Sequence, residues 1–406
     1  MMAHSHGTRS SRCLTSMAIF VVVGLGATGN AAPAPKTPGC KTVGKPIKVI
    51  GNTEAMTEAL VDVDGRQILV VVNTSARGEQ QSVAVPAAGG PPIELRLPRK
   101  DLRIKAWIGA SDLLVGVGTT ADQDGVVIVR WSLGDAVAPS VNQPWVGNVA
   151  SGPRAAWNGR KLLVGWEGYN RTEHKSRYYV GTFDPKTGNS GESVPLSPQV
   201  EGHSASGGRI AALGDTFAAI WQVGRKPGQP SAEYRWGLLS DDGNVRGEAT
   251  ALPSLDFPVL YGCDGRAIVT DTPSWKMPLQ ARFITPDGTT SEARFLSRTY
   301  TPEREPGVLC MGSTAAVGWR DFSAKSKEVA IHLALLRENA TPADIIVARG
   351  HMTGTADWGC FYHAVFGQTS NGRARVAWTE GKKGRNAYST VYDIWSQEVS
   401  CPIASH

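Results

Sequence analysis

The chain has little charge. Asp, Glu, Lys and Arg make up 19% of its 406 residues, while 41% are hydrophobic, so it has apolar material enough for a core and does not read as a disordered polymer. Neither sign dominates. A net charge of +6 over this length is too small to read as a nucleic-acid-binding surface. Helical periodicity is missing from every segment, which excludes bundles and helical solenoids. No apolar run reaches the ~20 residues of a membrane span. The longest, MAIFVVVGLG (Met17–Gly26), is about half that.

Catalytic signatures are equally scarce. There is no HExxH, no phosphate-binding P-loop, no GxGxxG leading into a helix and no CxxC pair for zinc. GHSAS (Gly202–Ser206) lacks the closing Gly of a nucleophile elbow. No blade-type Asp-box and no complete calcium loop occurs, so no metal site is assigned.

What is present is turn chemistry: 46 Gly, 25 Pro and 12 Trp. The chain opens with Arg9 and Arg12, the short apolar run and then small residues, the pattern of a secretory signal peptide over residues 1–31 with cleavage near Ala31. A Pro-rich leader (residues 32–45) precedes the single domain expected over 46–403. The protein is therefore expected outside the cytoplasm, secreted or periplasmic, without a membrane span.

One unit recurs seven times: a turn residue, a few mixed residues, an apolar strand and a polar loop. DGRQILVVV from Asp64, NGRKLLVGW from Asn158, LGDTFAAIW from Leu213 and NGRARVAW from Asn371 are examples. The turn positions are Gly65, Ala110, Gly159, Gly214, Gly265, Gly312 and Gly372, spaced by 45 to 60 residues. Each unit continues into an alternating strand, a hairpin turn such as PDG or DPKTG, and a short fourth strand. Four antiparallel strands per ~50 residues, repeated, predict an all-β, seven-bladed β-propeller. The seventh unit ends after its third strand, and PIKVIG (Pro46–Gly51) matches a fourth. The N-terminal strand is thus expected to complete the last blade, leaving no open edge and a monomeric ring.

That closure predicts a Cys40–Cys401 disulfide, because the third strand ends where the fourth begins. Cys263 and Cys310 occupy equivalent positions of adjacent units and could pair; so could Cys310 and Cys360.

The first strand of a blade starts, and the second ends, on one face, here called the top. Acids stand at the expected first-strand starts: Asp101, Asp256, Glu305 and Asp357, with His203 in the fourth unit. Such a ring could hold sugar hydroxyls, a cationic group or a calcium ion, or simply be the polar wall of a wet channel. Trp166, Trp221, Trp319 and Trp378 fall at matching second-strand ends, where they would stack on a sugar or pack one blade on the next. Basic loops follow these strands, as in NRTEHKSR (Asn170–Arg177) and EGKKGRN (Glu380–Asn386), and would attract an anionic polymer.

The repeat form N-G-[RK]-x-L-V-x-W resembles secreted bacterial seven-bladed β-propeller proteins across nearly the whole chain after the leader. The resemblance implies architecture; it carries no catalytic residue, because propellers host lectins, hydrolases, lyases and scaffolds alike. The primary expectation is a non-catalytic propeller binding a glycan or protein on its top face, with no cofactor. The alternatives are an extracellular polysaccharide lyase or hydrolase using His203 or His363 as base, and a structural interaction scaffold.

Overall fold

The computed structural model describes residues 39–75, 79–134, 138–147, 149, 152–197, 200–201, 208–224, 232–255, 258–263, 265–271, 278–297, 306–311, 314–323, 328–336, 343–351, 364–368, 373–383 and 390–402. The expected signal peptide, His203, Asp256, Glu305, Asp357, Cys360 and His363 lie outside these residues.

The seven sequence units become seven antiparallel sheets among the described residues. Strand β1 (Lys41–Thr53) opens the chain. Blade 1 is β2 (Met56–Val63), β3 (Arg66–Thr74), β4 (Gln80–Pro86) and β5 (Ile93–Leu95). Blade 2 is β6 (Leu102–Ala110), β7 (Leu113–Thr120), β8 (Gly125–Ser132) and β9 (Ser140–Val146). Blade 3 is β10 (Arg154–Trp157), β11 (Leu162–Asn170), β12 (Lys175–Phe183) and β13 (Val194–Pro195), with β14 (Val200–Glu201) also paired to β12. Blade 4 is β15 (Arg209–Leu213), β16 (Thr216–Gly224), β17 (Ala232–Leu239) and β18 (Val245–Leu255). Blade 5 is β19 (Val259–Cys263), β20 (Arg266–Asp271), β21 (Leu279–Ile284) and β22 (Arg294–Ser297). Blade 6 is β23 (Gly307–Met311), β24 (Thr314–Ser323), β25 (Glu328–Leu336) and β26 (Ala343–His351). Blade 7 is β27 (Ala364–Gln368), β28 (Arg373–Lys383) and β29 (Thr390–Ser400), completed by β1 on its outer edge. First strands touch first strands in sequence, and β27 touches β2, so the ring closes as a β-propeller.

The apolar runs that betrayed the repeat are the second strands. Each is covered on both faces by neighbouring blades, so it reads as a continuous apolar segment rather than an alternating one. Leu69–Val71, Leu162–Val164, Phe217–Ile220 and Ala315–Val317 are all fully buried. Two-residue turns join first to second strands: Asp64 and Gly65 both have positive φ (54° and 72°), the twist that matches a hairpin. In blade 2 the turn falls on Ser111 (φ 59°), one residue past the expected Ala110, which is the last residue of β6. Neighbouring first strands converge closely at this end. A Cβ on Gly109 would lie 1.6 Å from the Asp62 carbonyl oxygen, and one on Gly262 1.5 Å from that of Ala212.

Strand β1 begins at Lys41 rather than Pro46, so five residues of the expected leader are structural. The register shifts between Val43 and Ile47, with Gly44 at φ 70°, and this irregularity accommodates Pro46, which has no N–H to give the ladder. The expected bridge is present: Cys40 and Cys401 are joined, with a sequence separation of 361. Cys263 and Cys310 form a second bridge, linking blades 5 and 6. Both bridges sit where first and third strands end, the bottom face.

Candidate functional site

Two concavities matter. The central channel holds two lobes of about 460 and 430 Å³, walled by segments of all seven first strands. Among the described residues its charged wall residues are Glu58, Lys105 and Arg154, beside Tyr261, Trp107, Trp157 and Phe366. Glu58 and Lys105 come from equivalent irregularities. The β2–β3 register shifts between Thr57 and Ala59, and the β6–β7 register between Ile104 and Ala106. A bulge adds one residue and re-aims its side chain, here placing opposite charges on adjacent blades in the channel. The other five first strands pair without a shift.

Of the residues expected to form an acidic mouth, His203, Asp256, Glu305 and Asp357 lie outside the described residues. Asp101, the one of these acids among the described residues, is not in the wall of either lobe. It sits in the loop before β6, held by Arg99 with Nη2 to Oδ2 at 2.5 Å, and that hydrogen bond holds its carboxyl below the usual range. Sequence periodicity placed strand starts but could not show where a bulge would turn a side chain inward. Among the described residues no cluster of His, Cys, Asp or Glu is arranged to hold a metal ion.

The second concavity is a cleft of about 420 Å³ between blades 2 and 3. β9 and β11 end there and β12 begins there, so it opens on the top face. Alternation along β11 and β12 decides its lining. Trp166 pairs with Tyr179, Gly168 with Arg177 and Asn170 with Lys175, and these residues share the face toward blade 2. Glu167 and Tyr178, one step along, take the opposite face. From blade 2 come Pro144, Trp145, Val146 and Gly147. Trp145 stacks on Trp166 at 5.0 Å and Trp166 on Tyr179 at 5.9 Å between ring centroids. The room for Trp145 exists because residue 181 is Gly: a Cβ there would be 2.3 Å from its ring. The Trp145 Nε1 donates to the Gly191 carbonyl at 3.0 Å. Val146, on the lip, is 83% exposed.

The loop over the cleft is ordered by its own bonds. Asn170 Oδ1 accepts from the backbone N–H of Thr172 and Glu173 at 3.0 and 3.2 Å, and Tyr169 OH lies 3.0 Å from His174 Nδ1. Arg177 is half-buried, its Nε is buried without an acceptor, and its guanidinium makes no ion pair or hydrogen bond among the described residues. Lys175 has Glu173 at 3.9 Å. Among the described side chains the cleft wall contains two cations and no acid, with Glu201 opposite Lys175 in the strand register.

The four repeat Trp are core residues: Trp166, Trp221, Trp319 and Trp378 are 6, 4, 2 and 4% exposed. Trp221, Trp319 and Trp378 sit in the packed clusters between blades, so an array of open stacking faces is not what the repeat makes. Trp166 alone of the four contributes an edge of this cleft. Of its partners there, Arg177 closes the basic segment Asn170–Arg177 noted from sequence, while Trp145 and Tyr179 were not singled out; Trp145 ends a fourth strand, outside the repeat position that drew attention. Behind the cleft, burial pushes the Tyr178 hydroxyl up to about 12, against the pull of Arg209 and Arg154.

No protein-family model matches the chain, and no curated protein matches its sequence. Solved structures similar to it are propellers of varied activity. The β-propeller domain of the Trilobed protease from Pyrococcus furiosus is 13% identical, covers 84% of this chain and 95% of its own, and gives a TM-score of 0.48. The acylaminoacyl peptidase of Pyrococcus horikoshii is 12% identical over 83% of this chain and 52% of its own, with a TM-score of 0.49. The fungal lectin of Aleuria aurantia is 12% identical over 76% and 99%, with a TM-score of 0.43.

Proposed function

We propose that this chain is an exported, non-catalytic propeller that binds a glycan through its top face. The observation that carries the reading is the cleft between blades 2 and 3. A stacked Trp145–Trp166–Tyr179 wall offers apolar contact to the C–H faces of a sugar ring, and Asn170, Ser193, Lys175 and Arg177 supply polar groups for its hydroxyls. A concave site of this kind, mostly preformed and with few polar groups, is what a small ligand requires. Export is supported by two disulfides, which persist in oxidising compartments, and by the basic and apolar start of the chain. No helix among the described residues is long and apolar enough to cross a membrane. Binding to a glycan array, repeated with Tyr179→Ala, tests the reading. Retained binding of the variant to every ligand of the wild type would remove the cleft from the account.

A lyase reading gains one observation, the Tyr169–His174 pair at the cleft rim, which could move a proton from a sugar acid. Unsaturated product, detected by ultraviolet absorbance after incubation with uronic-acid polymers, would favour it over binding alone. Wild type that binds such a polymer without cleaving it would favour the lectin.

A further inference from the structure

The cleft has an electrostatic imbalance that packing does not explain. Among the described side chains its wall carries Lys175 and Arg177 and no carboxylate, while Glu201 of β14 stands opposite Lys175 in the register. The Nε of Arg177 is buried without an acceptor among the described residues, and a buried N–H left unpaired favours a ligand that supplies one. Several other arginines meet carboxylates, Arg160 with Asp241 at 2.7 Å, Arg373 with Glu398 at 2.7 Å and Arg375 with Glu398 at 3.3 Å, while Arg130, Arg209 and Arg282 share with Arg177 a buried Nε without an acceptor; of these four only Arg177 lines the cleft. Arg177 is held differently. The register sets it opposite Gly168, whose missing side chain leaves the guanidinium room toward the cleft, and Trp166 and Tyr179 lie one pair further along the same face.

Resting on the glycan reading, we infer that this cleft selects a carboxylate-bearing sugar, a uronic-acid residue of an extracellular polysaccharide, and that Arg177 is the residue that determines that selectivity. The carboxylate accepts the hydrogen bonds for which Arg177 has no acceptor among the described residues, and a guanidinium matches the planar, two-oxygen geometry of that group. Lys175 adds charge at the mouth. The ring lies against the aromatic wall. A sulfate ester offers similar charge with a tetrahedral oxygen set, and an acidic peptide offers carboxylates without a pyranose ring, so the three are separable.

The test is calorimetric titration of the purified protein with four probes: a hexagalacturonate, the same oligosaccharide with its carboxyl groups reduced to alcohols, a sulfated neutral hexasaccharide, and hexaglutamate. The expected result is binding of the hexagalacturonate, at least about tenfold weaker binding of the other three, and a loss of about tenfold or more for hexagalacturonate in Arg177→Gln with partial recovery in Arg177→Lys. The carboxyl-reduced probe acts on the wild type, so the outcome stands even if a variant folds poorly. Equal affinity for the reduced oligosaccharide overturns the acidic selectivity and leaves the glycan reading intact. Stronger binding of the sulfated probe or of hexaglutamate overturns it in favour of sulfate or of a peptide. No binding of these probes, with a blank glycan array, overturns both.

Discussion

The two faces of this propeller are built by different chemistry. On the bottom, short hydrogen-bonded turns close the strands. Asp287 takes hydrogen bonds from the Thr285 hydroxyl and from the Thr289 backbone and hydroxyl, and Ser240 Oγ donates to Asp242 within the equivalent turn of blade 4. Both disulfides are there. On the top, the aromatic cleft opens between blades 2 and 3, and the Arg177 Nε has no acceptor among the described residues. The Cys40–Cys401 bridge that ties the closing strand sits on the bottom face, and the candidate cleft on the top. Four perturbations would break or sharpen this division.

The largest effect is expected at the ring closure. Cys401→Ser opens a loop of 361 residues, which the chain-entropy model values at up to about 6 kcal/mol, with engineered cases commonly near 2–4. Urea unfolding should show that loss, while ligand affinity below the transition stays within about twofold, since the bridge is on the far face. A parallel loss of affinity would mean the faces are coupled.

Alkaline pH should act on the top half. The Tyr178 hydroxyl, raised from its ordinary 10 to about 12 by burial, is neutral in the folded state longer than in the unfolded one. Its contribution is fully present below pH 10 and is lost as pH rises through 12. Two pH units correspond to about 3 kcal/mol. Tyr178→Phe should remove that part of the decline, read by denaturant melts between pH 9 and 12. An unchanged decline would contradict the assignment.

Gly181→Ala is expected to cost about 1–3 kcal/mol, because the new methyl overlaps Trp145. Unlike the cysteine change, it should also weaken binding, by disturbing the cleft wall. Loss of stability without loss of affinity would separate Trp145 from the site.

The smallest effect belongs to the exposed turns. Hydrogen bonds, the Thr285 hydroxyl first, hold the Asp287 carboxyl below its usual value. A depressed carboxyl stabilises above its unfolded value, about 3.9, and the contribution disappears as pH falls through the folded one. Asp287→Ala should therefore melt slightly lower than wild type at neutral pH, and the two should converge as pH falls through the folded value of the carboxyl.

The bottom face was also the legible one. Positive-φ turns demand Gly or Asp, and strands buried on both sides demand apolar runs, so Gly65, Gly214, Gly265 and the segments after them announce seven blades and the Cys40–Cys401 bridge from sequence alone. The site was far less legible. Trp166 was flagged for its repeat position, but that position makes core in blades 3, 4, 6 and 7 alike. What distinguishes blade 3 is Trp145 arriving from the preceding blade into the space left by Gly181, and Arg177 facing Gly168. Both are cross-strand or cross-blade relations without a signature in local spacing. The channel charges were missed for a related reason: Glu58 and Lys105 point inward through bulges, which break the alternation that sequence reading relies on.

The most direct measurement is the crystal structure of the protein soaked with hexagalacturonate. The account predicts a sugar ring in the cleft against Trp166 and Tyr179, with its carboxylate on Arg177. A sugar bound instead in the central channel, on Lys105 and Arg154, with the cleft empty, would contradict it.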